Sequence, residues 1–145
     1  MPGVYASESE IIRIGEKFAD CSLPRSEWTH AAHFAAALWL LRTRPELDAP
    51  AAMPGMIRAY NESVGRVNDQ TGGYHETITL ASLRALKGVL DANLPETPLF
   101  EIVNALMASS LGNPNWLLDY WSQGRLMSVE ARLGWLEPDK KPLPF

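Results

Sequence analysis

From Ala31 to Leu41 the chain reads Ala-Ala-His-Phe-Ala-Ala-Ala-Leu-Trp-Leu-Leu, an apolar run broken only by His33. Alanine and leucine lose little rotamer freedom in a helix and are the strongest helix formers. A helix that is apolar on every side has no face to offer water, so this one must be central, with the rest of the chain wrapped around it. The predicted helix covers about residues 29–43. Ser26 or Thr29 can cap its start, and Pro45 ends it because the residue before a proline avoids the α conformation. A chain of 145 residues can bury about 70% of its unfolded surface, enough for one domain over residues 1–145.

The other helices carry one-sided stripes. Ser7 and Glu10 form a capping-box pattern before Ile11, Ile14 and Phe18, predicting a first helix that ends near Ala19 or Asp20. Met53, Met56, Ile57, Tyr60 and Val64 mark a third helix, with Pro54 confined to its first turn and Gly65 as its stop. A fourth runs from about Tyr74 to Asp91, and a fifth opens at Thr97-Pro98 and reaches about Ser110. Asn113-Pro114 starts a short helix with Trp116, Leu117 and Tyr120, and Ser128 caps a last one. The tail from Trp135 to Phe145, rich in proline, should be extended. No segment alternates polar and apolar residues as a strand does. The expectation is an all-α, single-domain helical bundle of about five main helices plus short C-terminal helices and an extended Pro-rich tail.

A net charge of −4 without a basic cluster argues against a nucleic-acid partner, since phosphate binding needs a positive field. Cys21 is the single cysteine, which rules out an internal disulfide and suits a reducing compartment. The apolar runs are too short for a membrane span, and the first residues lack a signal-peptide pattern. The expected setting is the cytoplasm, with no membrane partner; a homo-oligomer is compatible with all of this.

The chemistry-bearing residues cluster. His30 and His33 share one helical face, because positions three apart are neighbours on a helix. The remaining histidine, His75, lies in Gly72-Gly-Tyr-His-Glu-Thr-Ile-Thr79, at the start of another predicted helix. Neutral imidazole is the commonest metal-binding side chain, so His30, His33 and His75 form a candidate set for a divalent metal, zinc or iron. Glu76 is the candidate catalytic proton carrier, and Trp28 and Tyr74 flank the histidines as candidate ligand-binding residues. The polar loop 66–73, with Asn68 and Asp69, is placed to lie over such a site. Arg132 with Glu130 or Asp139 offers either an anion clamp or a tail-fixing ion pair. The same cluster also reads as a metal-free site for a small-molecule ligand or a protein partner. Histidines at helix starts can also simply bond backbone carbonyls in a core.

Trp28-Thr-His-Ala-Ala-His33 and Gly73-Tyr-His-Glu-Thr-Ile-Thr79, with Ser128-Val-Glu-Ala-Arg132 and Glu137-Pro-Asp139, resemble a family of small uncharacterised bacterial proteins. The shared motifs are W-T-H-x-A-H and G-Y-H-E-T-I-T, and the resemblance spans nearly the whole chain. It implies no activity. The residues alone lead to a divalent-metal-binding protein that acts on a small molecule, or to a metal-free binding module built on the same His/Glu cluster.

Overall fold

The computed structural model describes residues 3–145. In chain order come α1 (Glu8–Ala19), α2 (His30–Thr43), α3 (Ala49–Ser63), α4 (Glu76–Ala92) and α5 (Leu99–Met107). Two short helices follow, α6 (Gln123–Leu126) and α7 (Val129–Leu133), and single turns of 3-10 helix punctuate the connections. Among the described residues there is no strand, and the fold is the expected all-α bundle.

The apolar run is indeed the axis. In α2, Ala31, Ala32 and every residue from Phe34 to Leu40 are buried, and α1, α3, α4 and α5 all pack on it. Thr29 is the cap, its hydroxyl accepting from the Ala32 N–H at 3.2 Å, while Ser26 lies in a 3-10 turn over Arg25–Glu27. α1 makes the most extensive packing with α2. Gly15 permits it: a Cβ there would sit 2.3 Å from the Trp39 indole. At the start of α1, Glu10 reaches back to the Ser7 N–H at 3.1 Å, as the capping-box pattern requires.

Two helix starts differ from expectation. α3 begins at Ala49 rather than near Met53, so Pro54 lies in its second turn and Pro50 takes the first-turn place. The earlier start buries Ala49 on the same face as Met53, four residues on. The hydrogen bond that Pro54 cannot make would have gone to the carbonyl of Pro50, an exposed residue. α5 starts at Leu99, and Thr97 is not its cap. The cap comes from α1: Glu8 accepts from the N–H groups of Leu99 (3.0 Å) and Phe100 (2.9 Å). A carboxylate there satisfies two orphan donors and complements the positive end of the helix.

The tail packs on a second apolar cluster around Trp116, Leu117, Trp121 and Leu126, to which Trp135 and Leu143 add. The Trp121 indole N–H donates to the Leu136 carbonyl at 3.0 Å, and Asp139 accepts from the Ser122 N–H and hydroxyl. Asp139 therefore fixes the tail through Ser122, not through Arg132.

Two outcomes follow for stability. Glu8→Ala should cost about 1–3 kcal/mol in urea denaturation, since it strips two charge-assisted bonds from the start of α5. Removing residues 135–145 should lower stability by about 2–5 kcal/mol, because it uncovers Trp121 and deletes Trp135 and Leu143. A truncated protein that melts with the parent would show that the tail contributes nothing.

Candidate functional site

The start of α2 places its two imidazoles in contrasting ways. His33 Nδ1 lies 2.6 Å from the Thr29 carbonyl, one turn back. A carbonyl only accepts, so Nδ1 carries the hydrogen and Nε2 keeps its lone pair. The His33 ring packs against Trp28 with centroids 3.9 Å apart. Trp28 in turn stacks on Phe18 at 4.8 Å and meets Tyr60 at 5.0 Å. Trp28 is thus an aromatic platform behind His33. The ring of His33 is exposed in part but hemmed in by apolar groups. That desolvation is the main cause of a lowered pKa; nearby His30 and Arg66 reinforce it and the Thr29 carbonyl opposes it. His33 is a neutral base at pH 7.

His30 is held from the far side of the fold. Its Nε2–H donates to the carbonyl of Leu111 at 2.8 Å, which leaves Nδ1 as the open nitrogen in the neutral ring. Phe34 supports the ring at 4.6 Å. His30 is half-buried and His33 exposed, so both residues reach solvent.

His75 has a different job. It is buried, it caps α4 by accepting from the Ile78 N–H at Nδ1 (3.2 Å), and its Nε2–H donates to the Leu126 carbonyl at 2.7 Å. Both ring nitrogens are committed, and among the described residues no three His, Cys, Asp or Glu side chains come together as a metal set. His75 does not join His30 and His33 in a metal set, because its one lone pair is committed to the Ile78 N–H and its N–H to the Leu126 carbonyl. Glu76, the first residue of α4, accepts from the Tyr74 hydroxyl at 2.5 Å. Tyr74 is buried with the Arg58 guanidinium 4.4 Å over its ring. Burial, followed by the Glu76 carboxylate, raises the Tyr74 pKa.

The rest of this motif joins the C-terminal third to α4. Thr77 donates to the Gly134 carbonyl at 2.8 Å and accepts from the Leu136 N–H at 3.2 Å. Arg132 donates to the carbonyls of Gly73 and Tyr74 rather than to Glu130 or Asp139. The loop 66–73 is organised by Asn68 and Asp69 as turn residues. Asn68 accepts from the Tyr74 N–H at 3.0 Å, and Asp69 accepts from Thr71 and Gly72.

Above His30 and His33 opens a cleft of about 320 Å³ between α2, α3 and α4, closed at one side by Pro114, Trp116 and Leu117. Its walls are Phe34, Ala37, Met53, Ile57, Ile78, Leu83 and Leu86, and its polar groups are His30, His33, Thr79 and Ser82. Trp28, Tyr74, Glu76 and loop 66–73 do not line it. The volume is at the small end of small-molecule sites, which run roughly 300–1,000 Å³. Thr79 and Ser82 were not singled out from the sequence. The signal was there: Thr79, Ser82, Leu83 and Leu86 repeat at helical spacing, so two hydroxyls fall on an otherwise apolar face. A larger hollow of about 600 Å³ lies beyond Trp116, between α5 and Phe145. It has acidic groups, Glu101 and Asp119, but no imidazole, so the cleft is the better candidate for chemistry.

No protein-family model, curated protein or solved structure matches this chain, so the site is read from its own residues.

Desolvation also lowers the pKa of His75 from the usual 6.5. The unfolded ring then takes up a proton before the folded one does. The stability from keeping it neutral is complete above pH 6.5 and drains away as pH falls toward the folded value. His75→Asn should be less stable than the parent by about 1–3 kcal/mol at pH 7.5, since the Leu126 carbonyl loses its donor. In urea titrations at pH 7.5, 6 and 5 the gap should narrow, because the variant has no ring to protonate. A gap that stays constant with pH would contradict this assignment.

Proposed function

We propose that this protein binds a small, mostly apolar molecule in the cleft between α2, α3 and α4, with His30 and His33 meeting its polar end. One observation carries the reading: two imidazoles, each held through one nitrogen by a backbone carbonyl and keeping the other uncommitted, line a cleft whose walls are mostly apolar. Pockets of this make-up, apolar walls with a few convergent polar groups, are the usual form of small-molecule sites. Second-sphere carbonyls that hold one ring nitrogen are also how proteins aim the other at a ligand or a proton.

The reading is metal-free. A zinc or iron ion would find two of the three expected nitrogens, His30 and His33, whereas a catalytic zinc takes three protein ligands. Glu76 serves Tyr74 and the start of α4, so proton transfer in the cleft would fall to His33. Its lowered pKa keeps the ring neutral at pH 7, with one lone pair free to accept a hydrogen bond.

The test is occupancy of the cleft. Indole and ethylbenzene should bind saturably and perturb the NMR signals of Ala37, Ser82 and Leu83. Ser82→Phe, at a half-buried wall position, should weaken that binding at least tenfold while the protein keeps its cooperative melt. Binding that survives Ser82→Phe would place the ligand elsewhere. Zinc with and without a chelator, run alongside, should leave the melting temperature unchanged, and a zinc-dependent rise of several degrees would restore the metal reading.

A further inference from the structure

We infer that the molecule held in this cleft is uncharged and carries a hydroxyl, and that the two imidazoles of α2 recognise it as hydrogen-bond acceptors. The inference rests on the small-ligand reading above and names the ligand class. The carbonyls of Leu111 and Thr29 cannot donate, so they draw the ring hydrogens of His30 and His33 to themselves, at 2.8 and 2.6 Å. What each ring keeps in its neutral form is one uncommitted lone pair, on His30 Nδ1 and on His33 Nε2. Short of taking up a proton, which desolvation disfavours at His33, either ring would have to flip to turn a donor outward and would then leave a lone pair facing a carbonyl.

The other polar groups of the cleft, Thr79 and Ser82, are hydroxyls that rotate to donate or accept. No Lys, Arg, Asn or Gln side chain lines it. A carboxylate would therefore enter a mostly apolar space lined by neutral imidazoles, with no Lys or Arg to pair with, a costly burial. Arg66 lies in the field of His33 but is not among the lining residues. An ether or ester head would meet only lone pairs from the imidazoles. A hydroxyl donates to one imidazole and accepts from Thr79 or Ser82, so it satisfies both kinds of group at once.

Three probes of one shape decide the matter by calorimetry on the full chain: 4-ethylphenol, 4-ethylanisole and 4-ethylbenzoate. The phenol should bind at least tenfold more tightly than either of the others. His33→Phe keeps a ring against Trp28 but removes the acceptor. It should reduce phenol affinity about tenfold and leave anisole affinity within twofold. Equal affinities for the three probes, or a benzoate that binds best, would overturn the head-group assignment while leaving the cleft as the site. A phenol preference that survives both His33→Phe and His30→Phe would overturn it too. If none of the probes binds, or if Ser82→Phe changes none of their affinities, the cleft reading itself falls and this inference with it.

Discussion

A helix buried on every side satisfies its own backbone along its length and leaves the difficulty at its ends, where the first N–H and last C=O groups have no partner. In this protein α2 is such a helix, and the surrounding helices can cover its middle completely only because the middle is alanine, leucine and aromatic carbon. Polar groups must go where the cover stops. His30 and His33 stand on the first turn, at the edge of the packed region, and there the neighbouring helices part to form the cleft. The position of the candidate site is thus a consequence of how the core is built. The same turn that needs a cap from Thr29 supplies the carbonyl that orients His33.

The second motif shows how a chemically suggestive pattern can serve the fold. His75, Thr77 and the backbone of Gly73 and Tyr74 bond to Leu126, Gly134, Leu136 and Arg132, so α4 gathers the short helices and the tail onto one surface. A buried imidazole used at both nitrogens is a rigid connector and is spent as a ligand. His30 and His33 differ from it in that each is less buried and uses a single nitrogen. That difference separates the candidate site from the staple, and residue type alone does not reveal it.

Much of the fold was legible in residue order, because the signals are local. The unbroken apolar run announced the central helix. Thr29 and Ser128 cap the helices they were expected to cap, and Gly65 takes the left-handed conformation expected of a helix stop, with φ +84°. The start of α5 was misplaced because its cap is Glu8, which is close in space and distant in sequence. The early start of α3 escaped notice because the burial of Ala49 depends on where α2 lies. For the candidate site, the pair His30 and His33 could be read from helical spacing. Spacing could not show that His75 meets Leu126 or that Trp28 meets Phe18 and Tyr60, partners that only the folded chain brings near, while Glu76 and Tyr74 bond to each other two residues apart.

The sequence by itself determined the helical class, the helix that sits at the centre and the two imidazoles on its first turn. Those follow from propensity and period, which act over a few residues. Tertiary structure decided which nitrogens stay open. It did so by setting the Leu111 carbonyl against His30 from a remote stretch of chain and the Leu126 carbonyl against His75. It also brought α3 and the Pro114–Leu117 turn to the far walls of the cleft. A hydrogen bond takes its partner by distance in space, and for these groups that distance is fixed only once the helices have packed around α2.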